Sequence, residues 1–287
     1  MRPMLLLTTV LACASAAFAA APSTQPTLEQ KCHAMRARWD DRFRAERLSV
    51  IVSPPFVVAG DGGERKLRGY VAGTIQSAAD ALHKKFFDAR PSEPTLILLF
   101  EADEPYRRLA RQWFGDADVT RYGYYRHRDN TMLMNVGTGT GTLVHELTHA
   151  LIRPDFPDVP DWFNEGLGSL FEQCTLAGGE IRGLANWRLP ALQRAIRQDK
   201  LRPIAALLAD DDFYGDAHVG MNYAHARYLL MYLQDHDKLP AFYRQFRDGH
   251  ATDPTGVATL KATVAPRSME AFEKQWRAWV LTLRFQG

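Results

Sequence analysis

Cysteine is scarce in this chain of 287 residues: Cys13, Cys32 and Cys174 are the whole supply. None of them has a partner at the close spacing of a zinc ribbon. If an N-terminal leader carries Cys13 away, the remaining pair allows one disulfide or two free thiols, and the sequence favours neither. An excess of one charge is also missing. Lys plus Arg number 35 and Asp plus Glu 33, a net +2, so nothing in the composition advertises nucleic acid or another polyanion as partner. Beyond the first 21 residues no apolar run is long enough to span a bilayer, which argues against stable membrane insertion. Internal repeats and low-complexity tracts are absent too. With 46% hydrophobic and 24% charged residues, the composition excludes a disordered tail, a collagen-like chain and a coiled coil. The length is enough for one large domain or two packed subdomains.

What is present begins with an address. Residues 1–21 read MRPMLLLTTVLACASAAFAAA. A basic start, an apolar run and small residues follow in the order of a secretory signal peptide, which places the mature chain in the periplasm or outside the cell. Lipid attachment at Cys13 is a minor alternative. Residues 22–48 then read as a polar linker and a helix from Leu28 to Leu48. A strand region follows over Ser49–Ala59, interrupted by Pro54–Pro55, and a helix over Arg65–Phe87. Thr95–Phe100 (TLILLF) is a fully apolar strand candidate, Pro105–Phe114 a short helix, and Gly123–Tyr125 and Thr131–Val136 are strand pieces around a polar turn. From Gly141 onward the pattern is nearly all helical, with turns at Pro154–Pro160, Gly178–Gly179 and Asp248–Pro254. The order implies an α+β fold: a sheet-containing part over 49–153 and a helical part over 154–287, with a cleft between them.

Chemistry concentrates in LVHELTHALI, residues 143–152. His145 and His149 are four apart, so on a helix both imidazoles lie on one flank and reach one metal ion, with Glu146 beside them. Leu143, Leu147, Ala150 and Leu151 form an apolar stripe on another face. Threonines in the preceding GTGTGT run are expected to cap the helix start, and Pro154 stops it after Arg153. A second helix begins at Pro160–Asp161 in PDWFNEGLGSLF. Its glycines, Gly166 and Gly168, cost helix stability and call for a compensating close approach by another helix. The short, proline-pinned connector makes the two helices neighbours. Glu165 then completes a set of two histidines and one carboxylate, the ligand set of a catalytic zinc with one open position.

These residues resemble the gluzincin branch of the zincin metallopeptidases, closest to the bacterial peptidase-MA-like families in which HExxH is followed by a late N-E-G. The likeness extends loosely from about Val50 onward, through Gly123–Tyr125, Tyr223–Ala224 and Glu270–Val280. Fifteen residues lie between His149 and Glu165, fewer than in many gluzincins. The resemblance implies a zincin-like fold and one zinc per chain, held by His145, His149 and Glu165. It implies hydrolysis of a peptide or protein substrate, with Glu146 as general base. It also implies an oxyanion stabiliser: Tyr223 is chosen, with His218 and His225 as rivals in FYGDAHVGMNYAHARYLL. Thr131–Val136 is the expected substrate-pairing edge strand, with Asn135 as a substrate contact by analogy. The alternatives are a catalytically silent zincin-fold peptide-binding module, or a zinc hydrolase of another cell-envelope amide.

Overall fold

A computed structural model describes residues 25–264 and 268–285. The leader expected over 1–21, with Cys13, lies outside the described residues.

Helix α1 (Leu28–Ala45) opens on a capping box: the Thr27 hydroxyl accepts from the Gln30 amide at 3.2 Å and the Gln30 side chain accepts from the Thr27 amide at 2.8 Å. Strands β1 (Ser49–Ser53) and β2 (Phe56–Gly60) follow as an antiparallel hairpin. Pro54–Pro55 therefore makes the tight turn between two strands; it does not break one. The helix expected over Arg65–Phe87 is a continuous rod in three pieces: α2 (Glu64–Tyr70), a π-helical stretch (Val71–Gln76) and α3 (Ser77–Lys85).

Strand β3 (Thr95–Phe100), helix α4 (Asp103–Phe114), and strands β4 (Gly123–Arg126) and β5 (Thr131–Asn135) complete a five-stranded sheet in the order β1-β2-β3-β5-β4. β2, β3 and β5 run parallel; β4 doubles back antiparallel to β5. Thr131–Asn135 is thus an interior strand, because it pairs with β3 on one side and β4 on the other; the edge is β4, joined to it by the turn His127–Asn130. Two-residue periodicity divides the sheet between two cores. Val57, Ala59, Leu96, Leu98, Phe100 and Leu133 pack with Cys32, Met35, Trp39 and Phe43 of α1 and with α4. Phe56, Val58, Ile97, Leu99, Met132 and Met134 face the larger core, which continues into the helical part of the chain.

That part comprises α5 (Gly141–Ile152), α6 (Asp161–Glu172), α7 (Leu189–Arg197), α8 (Ile204–Leu208), α9 (Val219–Asp235), α10 (Leu239–Gly249), α11 (Val257–Val264) and α12 (Met269–Thr282). It is not purely helical. Strands β6 (Cys174–Ala177) and β7 (Glu180–Gly183) form a hairpin whose turn is Gly178–Gly179, both at positive φ, 61° and 72°. The fold is α+β. α5 packs on the sheet beside β4 and β5, α6 packs on α5, and α9 packs on α6. The α5–α6 connector is fixed by buried Asp155, which accepts from the Asp88 and Ala89 amides at 2.9 and 2.6 Å, from Tyr243 at 2.6 Å and from Arg247 at 2.7 Å. Cys32 and Cys174 are free thiols. Among the described residues no helix is long and apolar enough to cross a membrane.

Candidate metal centre

α5 delivers its histidines as the spacing requires. Its apolar stripe is buried in the larger core, so the opposite flank, carrying His145, Glu146 and His149, turns toward α6 and the cleft. The start of α5 is not capped by a threonine side chain; Thr140 makes no such bond. Instead the first turn lies against the end of α6, where a Cβ on Gly141 would come within 2.4 Å of the Glu172 carbonyl oxygen.

The two helices bring three ligand atoms to one point. His145 Nε2 lies 3.2 Å and His149 Nε2 3.5 Å from Glu165 Oε2. All three residues are buried, and their ligand atoms fall within 4.8 Å of one another. Among the described residues this is the single cluster of His, Cys, Asp and Glu able to hold a metal. The α6 glycines divide the work of making room. A Cβ on Gly166 would press on Ala226 and Leu230 of α9 at 3.1 Å, whereas a Cβ on Gly168 would press on the imidazoles of both His145 and His149 at 3.1 Å. A larger residue at 168 would therefore fill the space in front of the ligand nitrogens.

Surrounding groups orient the set. His149 Nδ1 donates to Asn164 Oδ1 at 2.8 Å, which turns Nε2 toward Glu165; an outer hydrogen bond of this kind fixes the ring orientation of a ligating histidine. Tyr214 donates to Glu165 Oε1 at 2.8 Å, which directs Oε2 to the histidines. Burial disfavours the Glu165 carboxylate, yet bonds from both imidazoles win and hold it well below the usual range. The same contest raises His149: burial opposes its charge, and Glu165 overrides it, lifting the pKa to about 9. Glu146 differs. Part-buried at the cleft wall and without a hydrogen-bond partner among the described residues, it has its pKa raised by burial, offset in part by the imidazoles. A carboxylate with its pKa raised, beside three groups able to hold a metal, is suited to taking and returning a proton.

The other expected site residues separate. Tyr223, at the start of α9, lines the cleft with its ring 6.4 Å from that of His145; burial and then Glu165 raise its phenol. His218 bonds the Asp212 carbonyl at 2.8 Å and ties down the loop before α9. His225 faces away from the cleft, buried and stacked on Trp276 at 4.9 Å, with neither ring nitrogen hydrogen-bonded. Asn135 is buried; its amide donates to the Arg121 carbonyl at 2.9 Å, and its backbone N–H to that of Tyr122, also at 2.9 Å. It shapes the segment leading into β4. Two further residues hold the set: Asn164, the first residue of the N-E-G motif, and Tyr214, on an irregular loop with no periodic signal in the sequence.

A cleft of about 860 Å³ runs past His145, Glu146 and Tyr223. One wall carries Tyr122 and Gly123 at the β4 edge, the other Trp187 and Arg188 of the helical part. No protein-family model and no curated protein matches the chain.

Proposed function

We propose that this protein is an exported zinc-dependent peptidase of the gluzincin type, with a zincin-like fold. One observation carries the reading: His145, His149 and Glu165 converge in a buried set from two adjoining helices, while Glu146 stands free beside them in an open cleft. Two imidazoles and one carboxylate are the donor set that suits zinc and leaves a position for substrate. Bound there, zinc would acidify a water and polarise the scissile carbonyl. The sheet supports the same reading, since its antiparallel edge strand β4 borders the cleft and can take an extended peptide as a further strand.

The chain's own groups divide the remaining work. Glu146 accepts the proton of the attacking water and hands it to the leaving amine. Asn164 and Tyr214 hold His149 and Glu165 in their ligating orientation. Tyr223, with its phenol kept protonated and its ring 6.4 Å from that of His145, is assigned as the donor to the charge that develops on the carbonyl oxygen. The test is Glu146→Gln in zinc-loaded protein assayed on unfolded casein or a quenched peptide set. We expect unchanged zinc content and a loss of hydrolysis of about 100-fold or more; full activity in that variant would reject the assigned base.

A further inference from the structure

Arg188 is the one Lys or Arg among the residues lining the cleft, where the other formally charged side chains are Glu146 and Glu172. It is held firmly. Its Nη1 donates to Glu172 Oε2 at 2.6 Å, and its guanidinium lies 4.8 Å from the Trp187 ring and 5.6 Å from the Tyr223 ring. The side chain remains 20% exposed. Its Nε and Nη2 have no acceptor among the described residues, so part of the planar fork of this cleft-lining side chain is unused.

The charge behind it is unbalanced. Arg227 of α9 is wholly buried; it donates to the Leu184 carbonyl, and its Nε and Nη1 have no partner among the described residues. Arg188 acts on Arg227 as a like charge and Glu172 as the opposing one. Glu172, bonded to Arg188, therefore also offsets the charge of buried Arg227 from a distance, and the Arg188 charge is only partly neutralised by it. A fork fixed by one carboxylate and flanked by aromatic faces is built to take a second carboxylate.

We infer that Arg188 is a specificity-determining residue that binds a carboxylate of the substrate within the cleft. The inference rests on the peptidase reading of the site. Arg188 reaches the Tyr223 ring, which in turn lies near His145, so the carboxylate sits close to the bond being cut. It belongs either to the free C-terminus of a peptide or to an Asp or Glu side chain beside that bond.

The test uses one fluorescein-labelled peptide in three forms: free C-terminus without acidic residues, amidated C-terminus with one Glu, and amidated C-terminus without acid. Binding is measured by anisotropy to the zinc-loaded Glu146→Gln protein, and cleavage by wild type alongside. At least one carboxylate form is expected to bind about tenfold tighter than the neutral form, and the form that does so identifies the source. Arg188→Gln should erase the difference between the carboxylate and neutral forms. Arg188→Lys, which keeps charge but loses the fork, should retain only part of it and serves where Gln unfolds the chain. Equal binding of all three forms, or a preference that survives both substitutions, overturns the assignment. Cleavage of the neutral form with no Arg188-dependent preference leaves the peptidase reading standing and removes this one. Carboxylate binding through Arg188 with no cleavage of any form does the reverse.

Discussion

Two buried histidine environments in this protein point in opposite directions. At the α5–α6 junction His149 is buried beside Glu165 and Asn164, and its pKa rises to about 9. On α9 His225 is buried against Trp276, and burial, with the charges of Arg202 and Arg277 adding to it, pushes its pKa down to about 3. Burial disfavours the imidazolium in both places. The carboxylate decides the difference. Where a partner was built in, the histidine is a charged or ligating group; where none was, it is packing. The contrast also explains why a histidine count says little about function here: among the described residues only His145 and His149 join Glu165 in a metal-capable group.

The comparison can be broken most strongly at its polar end. Removing the outer hydrogen bond with Asn164→Ala is expected to lower zinc affinity by 10- to about 100-fold with little change in fold, read by competition with a chromogenic chelator. Unchanged affinity would mean that His149 needs no orienting partner. The apolar end is tested by pH. A histidine whose folded pKa lies below its unfolded value costs stability as pH falls under the unfolded pKa near 6.5, and the cost stops growing near the folded value of about 3. At pH 5 this amounts to about 2 kcal/mol. His225→Phe should therefore flatten the decline in urea midpoint between pH 7 and pH 5. A decline as steep as that of wild type would show that His225 is not held neutral. The smallest effect is expected from Tyr214→Phe, which deletes one bond to Glu165 Oε1 and should weaken zinc binding by about fivefold, the net size of one ordinary hydrogen bond, because the bond acts on the ligand and not on the ion. No change at all would leave Tyr214 outside the site.

Much of the candidate centre was legible because its parts are local. The four-residue spacing of His145 and His149 becomes geometry on any helix, and prolines at 154 and 160 bracket the connector that brings Glu165 alongside. The uninterrupted apolar run of Thr95–Phe100 likewise marks a strand buried on both faces. What could not be read depends on tertiary order. Nothing local shows that β4 lies outside β5, so Thr131–Asn135 passes for an edge. Strands β6 and β7 are four residues each, too short to stand out inside a helical stretch. Gly166 and Gly168 announced a close approach, but two different neighbours explain them: α9 for the first, the histidine rings for the second. Tyr214 and Arg188 meet their partners through loops that no periodicity describes.

In the proposed site three side chains, His145, His149 and Glu165, share one cation. Metal analysis of the purified chain by mass spectrometry after gel filtration tests it directly, with wild type beside His149→Ala, Glu165→Ala and Glu146→Gln. One zinc per chain in wild type and Glu146→Gln, and almost none in the other two, is the result expected. Zinc retained at full stoichiometry in Glu165→Ala, or absent from wild type after reconstitution, would contradict it.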